Sequence, residues 1–227
     1  MGERLVIAKG LGRDFRDGNS GRINVLRDVD CEIAPGARIA IVGPSGSGKT
    51  TLLHILGGLD RPTAGTVEWP ALGAFETLRP RHIGFVFQSP SLFPALTAVQ
   101  NVGLPMLLAG ENIGASDIGA SLLQSFDLDE LGDKLPEELS GGQAQRIAMA
   151  RALAMGPKLL LADEPTGQLD SRTALLFLDA VLDRLEATDI ALVIATHDEI
   201  VANRMATRWT MDHGRLTTGH RPGAVTA

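Results

Sequence analysis

Gly43-Pro44-Ser45-Gly46-Ser47-Gly48-Lys49-Thr50 fits the phosphate-binding pattern G-x-x-x-x-G-K-[ST], and Arg38-Ile39-Ala40-Ile41-Val42 feeds into it like a buried strand. Glycines let the backbone bend around an anion and point successive N–H groups inward. Lys49 can reach the outer phosphates, and the Thr50 hydroxyl, followed by Thr51, can ligate magnesium. A helix expected from Lys49 to Leu56 would present its positive dipole end to the same anion. Alone, this loop says only that the chain binds a nucleotide.

Leu139-Ser140-Gly141-Gly142-Gln143 is a second phosphate reader. A small hydroxyl and two glycines open a helix expected from about Gly141 to Met155, so N–H donors and the dipole face outward. Glycine-rich helix starts are common, yet one chain does not need two such sites for one triphosphate. The stretch resembles the signature motif of ATP-binding-cassette (ABC) ATPases, and Ala144-Gln145-Arg146 continues close to that family's usual ending. The resemblance implies a head-to-tail dimer of two copies. In it Ser140, Gly141, Gly142 and Gln143 grip the γ-phosphate of an ATP held with Mg2+ on the other copy's loop.

The remaining motifs follow in that family's order. Leu159-Leu160-Leu161-Ala162-Asp163 is a short apolar strand ending in a carboxylate, where Asp163 can hold the magnesium shell. Glu164 is then the residue to polarise the attacking water. Gly167-Gln168-Leu169-Asp170 resembles the D-loop, with Gln168 where Asn or Ala is usual. His197 follows the strand Ile190–Ala195 and matches the switch histidine that contacts the γ-phosphate. Gln88 ends the run Ile83–Phe87 and matches the Q-loop glutamine, which touches magnesium and the water. Phe15 stands where the family stacks an aromatic on adenine; Tyr is usual there, but stacking needs only the π face.

The resemblance spans about Arg4 to Leu216 and implies an α/β P-loop NTPase fold. It would be one domain over 1–227, with a mainly parallel wound sheet, an N-terminal antiparallel β layer and a helical subdomain at about 89–139. The pattern of strands and helices agrees. Leu5–Ile7 and Val25–Ile33 read as antiparallel strands, and Thr66–Trp69 as a core strand. Thr97 should cap a helix over Ala98–Ala109, Ser116 one over Asp117–Phe126, and another helix should begin near Ser171. In that last helix Leu175, Leu178, Leu182 and Leu185 recur at core spacing, while Gly219–Ala227 shows no pattern. The apolar fraction of 44% supports a sizeable core, and a net charge of −6 argues against nucleic-acid or anionic-lipid surfaces. One cysteine, Cys31, excludes an internal disulfide and fits a cytoplasmic setting. No apolar stretch reaches the roughly 18 residues of a spanning helix, so membrane attachment is expected through partners.

Leu52–Asp60, Pro62–Gly65, Asp163–Gly167 and Asn101–Pro105 resemble the lipoprotein-release and macrolide-export branch. That resemblance implies four-helix permeases of the MacB and LolCE kind, used for extrusion or mechanical transmission, with the chain on the inner face of the membrane. Leu92, Phe93 and Leu96 among prolines are expected to line the groove receiving a short permease helix, the alternative being that they anchor the helical subdomain. Trp69 to Ile83 is shorter than is usual there. Two other classes meet obstacles. Chromosome-handling relatives carry a coiled coil between Gln88 and Ser140, and ribosome-acting ones carry two cassettes. A small-molecule kinase has no use for the 139–143 motif.

Overall fold

Parallel strands buried on both faces are uniformly apolar, and four such runs organise this chain. The computed structural model describes residues 3–17, 21–111 and 114–220, which divide into two compact units: 1–78 with 191–227, and 79–190.

In the first unit, β1 (Val6–Asp17) pairs antiparallel with β2 (Gly21–Ile33) and with β4 (Ala64–Glu68). The inward residues of β2 run Leu26, Val29, Cys31, Ile33. The period of two slips once at Asp28 (φ 53°), where β2 gains one residue on β1, as in a β-bulge. β3 (Arg38–Val42) leads into α1 (Lys49–Leu56), and the Trp69 indole N–H closes the end of that helix on the Leu56 carbonyl at 2.8 Å. The expected Thr66–Trp69 core strand is instead an exposed edge strand of the antiparallel sheet, starting two residues earlier and ending one earlier, with Trp69 freed to pack.

The second unit runs β5 (Ile83–Val86), α2 (Ala98–Leu108), α3 (Ala115–Gln124), α4 (Gly141–Leu153), β6 (Leu159–Asp163) and α5 (Ser171–Glu186). β5 and β6 are parallel and buried throughout. Thr97 caps α2 through a capping box with Gln100, as its sequence predicts. α3 departs from expectation. It begins at Ala115 behind Gly114 (φ 82°), so Ser116 lies inside the helix instead of capping it. α5 buries Ala174, Phe177, Leu178, Val181 and Leu185, leaving Leu175 and Leu182 at the margins of the stripe. α4 stops at Leu153, two residues short of Met155, before Gly156 (φ 57°).

The chain returns to the first unit with β7 (Ala191–Thr196), α6 (Glu199–Ala202), β8 (Thr207–Asp212) and β9 (Arg215–His220). β3 lies parallel between β7 and β8, and β9 runs antiparallel to β8. Gly219 and His220 thus belong to a strand, while 221–227 lie outside the described residues.

Cys31 is buried as its alternation requires. Burial, helped by the charges of Asp30 and Glu32, pushes its thiol from 9.0 up to about 12. The folded state therefore holds this proton more tightly than the unfolded chain. Its contribution to stability is complete below pH 9 and is lost as pH rises toward 12. At pH 8 the native thiol should react with a disulfide reagent about a thousandfold more slowly than in guanidinium, because its thiolate is that much rarer. Equal rates in the two conditions would contradict the burial.

Candidate active site

The phosphate loop is shaped by its neighbours in the first unit. A Cβ on Gly43 would run into the Met211 carbonyl of β8, and one on Gly48 (φ 108°) would lie 2.9 Å from the Val25 carbonyl of β2. α1 starts behind Gly48 without a side-chain cap, so its first N–H groups remain for an anion. Pro44, Ser45 and Gly46 are exposed at the crest. Ser47 is buried. Its carbonyl accepts from the Gly214 N–H in the β8–β9 turn at 3.1 Å, and its Oγ finds no partner among the described residues. Lys49, only 8% exposed, donates from Nζ to the Gly43 and Pro44 carbonyls at 2.9 and 3.1 Å, which leaves one of its three donors. Thr50 is exposed and Thr51 half-buried. An orphaned hydroxyl, an uncapped helix and a cation on one loop fit a ligand with several anionic oxygens.

β3 and β7 are in register with Val42 beside Thr196, so Gly43 and His197 leave neighbouring strand ends side by side. His197 is exposed, and Asp198 beyond it caps α6 by accepting from Ile200 at 2.7 Å. Phe15 lies on β1 and is 39% exposed. The Arg13 guanidinium sits 4.4 Å from its ring centroid and forks onto Asp60 at 2.8 and 2.9 Å.

The second unit carries the remaining motifs. Val86 and Ala162 pair across β5 and β6, so Gln88 and the Asp163–Glu164 pair emerge from adjacent strand ends. Asp163 is 3% exposed and Gln88 exposed. Glu164 is half-buried with φ 46°, and its carbonyl closes a turn with the Gly167 N–H at 3.0 Å. A left-handed glutamate costs about 1–3 kcal/mol, and such strain gathers at functional positions. Ser140 caps α4 by a capping box. Its Oγ accepts from the Gln143 N–H at 3.2 Å, and Gln143 Oε1 accepts from the Ser140 N–H at 2.9 Å. The Gln143 side chain is therefore spent on the cap, while the Ser140 O–H and the N–H groups of Gly141 and Gly142 remain as outward donors. A Cβ on Gly141 would strike Gln168 Oε1, and one on Gly142 would come within 2.5 Å of Leu169 Cδ2. Glycine here thus makes room for the D-loop as well as for a ligand.

Residues 26–167 match the family model described as ABC transporter. The chain belongs to the ABC transporter family. The lipoprotein-releasing system ATP-binding protein LolD of Legionella pneumophila (strain Paris) is 42% identical over 224 residues, covering 95% of this chain and 98% of that protein. LolD of Syntrophus aciditrophicus (strain SB) is 40% identical over 223 residues, covering 94% and 99%. A dimeric bacterial ABC transporter cassette superposes with a TM-score of 0.88 at 34% identity, covering 96% of this chain and all of that one. A dimeric ATP-binding cassette in a post-hydrolysis state with ADP and Pi superposes with a TM-score of 0.87 at the same identity and coverage. The expected α/β P-loop NTPase cassette fold is the fold this ABC protein has, and it is a nucleotide-binding ATPase of transmembrane transport.

Three features of this cassette escape its motifs. The Arg13–Asp60 fork that carries the guanidinium over Phe15 joins residues 47 apart. The Gly214 turn that fixes Ser47 also accepts the Arg27 N–H at 2.8 Å, tying β2 to the phosphate loop. Arg151 on α4 reaches the carbonyls that follow Gln88. The i, i+2 spacing of Arg13 and Phe15 along one strand was the only local signal among them.

Proposed function

We propose that two copies of this chain close head to tail on two ATP molecules and drive a separate membrane permease of the lipoprotein-releasing or macrolide-exporting kind, from the cytoplasmic face. The observation that carries the proposal is the pair of phosphate-reading constructions in one chain: the loop before α1 and the Ser140-capped start of α4. In this reading the chain works as one cassette domain, with 89–139 as its helical subdomain. Gly43 to Thr51 cradle the phosphates, with the remaining Lys49 donor on the outermost, and Phe15 stacks on adenine, its other face covered by Arg13. His197 contacts the γ-phosphate, and Glu164 polarises the water. Thr50, Gln88 and Asp163 offer a hydroxyl, an amide oxygen and a carboxylate, hard donors suited to Mg2+. That ion, when bound, neutralises phosphate charge. Ser140, Gly141 and Gly142 close on the nucleotide of the other copy, with Gln143 holding their cap. The protein's work is alignment and charge neutralisation. The strong identity to LolD proteins supports the choice of permease.

The docking segment supports the same reading. Leu92 and Leu96 are half-buried, while Phe93 is 53% exposed and leaves its ring for a partner to cover. Its backbone is nonetheless fixed: buried Asn101 accepts the Phe93 N–H at 2.8 Å and donates to the Phe93, Leu96 and Thr97 carbonyls. Replacing Leu92 and Phe93 with Ser should abolish copurification with the permease while melting temperature and ATP binding stay near wild type. Normal copurification would move the docking surface elsewhere, and a wild-type chain recovered with a permease of another kind would overturn the choice of partner.

A further inference from the structure

We propose that Gln145 and Arg151 are positioning residues for Gln88, holding the backbone on both sides of it from a single helix, α4. This rests on the role assigned to Gln88 above. Just before Gln88, the Phe87 carbonyl accepts from Gln145 Nε2 at 3.1 Å. Just after it, the Pro90 and Ser91 carbonyls accept from Arg151 Nη2 and Nη1 at 3.1 and 2.9 Å. At the second of these points Ser91 takes a left-handed φ of 50°, and its hydroxyl donates to the Ser89 carbonyl at 2.9 Å. The bend is thus pinned at each end, and Gln88 lies within it, next to the first anchor.

Gln145 is a poor choice for packing alone. It is fully buried, and its Oε1 has no partner among the described residues. The amide turns its nitrogen to the Phe87 carbonyl, and that orientation strands its oxygen. Leu or Met would fill similar volume without a stranded amide oxygen, at the loss of the Phe87 contact. A half-satisfied amide kept in this place points to the Phe87 contact itself as the thing of use.

The helix that makes these contacts opens with Ser140, Gly141 and Gly142. The bonds span 58 to 61 residues of sequence and join the second and last turns of α4, the helix the signature opens, to the segment that carries Gln88. Gln88 then keeps its aim only while α4 keeps its place, so phosphate capture by the signature and metal positioning by Gln88 are set by one rigid element. Neither Gln145 nor Arg151 touches the nucleotide in this account.

The test compares Gln145→Leu, Arg151→Met, Arg151→Lys, Gln88→Ala and the double variant Gln145→Leu/Gln88→Ala in the full-length chain. Gln145→Leu and Arg151→Met should each lower kcat about tenfold or more with KM for ATP within about twofold, a loss confined to the reacting state. Half-saturating Mg2+ should rise, and the Gln145→Leu melting temperature should stay near wild type, since the lost bond to the Phe87 carbonyl is offset by removal of a buried unpaired oxygen. Arg151→Lys, which retains the charge and a donor, should recover part of the rate. Gln145→Leu should add nothing on the Gln88→Ala background, because both act through one group. Losses that follow melting temperature, or that add to those of Gln88→Ala, overturn the proposal. If Gln88→Ala is slow while Gln145→Leu and Arg151→Met turn over normally, the tether fails and the role of Gln88 stands. If Gln88→Ala itself turns over normally, the reading of Gln88 fails, and the tether with it.

Discussion

Glu164→Gln should bind ATP as tightly as the wild type, hydrolyse it at least a hundredfold more slowly and accumulate as an ATP-bound dimer. The substitution keeps size and shape but removes the charge that polarises water. A loss of about 3 kcal/mol in transition-state stabilisation corresponds to more than a hundredfold in rate. The structure sharpens the expectation. Glu164 follows buried Asp163 at the end of β6 and is held at φ 46°, in a turn closed by the Gly167 N–H. Gln meets the same backbone strain, so folding stability should barely change and the defect should be chemical. Phosphate release and size-exclusion chromatography with ATP and Mg2+ read both halves of the result. Near-wild-type turnover would remove Glu164 from the role. Lys49→Ala separates binding from chemistry by deleting a cation from the loop, and nucleotide affinity itself should then fall.

How much of this was legible in the sequence depends on where each group sits. Lys49, Asp163 and Ser140 stand at junctions of regular elements, and such junctions carry local signals: an apolar run ending, a glycine cluster, a capping residue. β3, α1 and β6 accordingly begin and end where the sequence predicts. Ser116 misled because capping preference is a tendency of residue type, whereas Gly114 could adopt φ 82° and start α3 one residue before it. In α5 an i, i+3, i+7 leucine series was read as the buried stripe, but Phe177 and Val181 show the stripe turned by part of a residue step. Contacts of a side chain or a turn N–H with distant backbone leave no periodic trace. Gln145 to Phe87, Arg151 to Ser91 and Gly214 to Ser47 belong to that class, and they hold the catalytic segments in place.

Ser140→Arg should bind ATP normally yet fail to hydrolyse it, and mixing it with Lys49→Ala chains should restore hydrolysis that neither has alone. The argument starts from the cap. Ser140 accepts the Gln143 N–H, so its replacement costs α4 about 1 kcal/mol, a minor part of a domain's stability of roughly 5–15 kcal/mol. The Arg chain therefore stays folded, and its own loop, which includes Lys49 and Ser47, is untouched. What changes is the outward donor set at the start of α4, now covered by a long cation. If that set served a nucleotide on the same chain, no second chain could repair it. If it serves the other copy, a heterodimer holds one intact composite site, built from the Lys49 loop of the Ser140→Arg chain and the Ser140 helix of the Lys49→Ala chain. Random pairing would then return about a quarter of wild-type activity for independent sites, since half the dimers carry one good site of two. Wild-type hydrolysis by Ser140→Arg alone would place the signature outside the catalytic cycle. Recovery in the mixture admits no such reading, because each parent lacks what only the other can supply across a dimer interface.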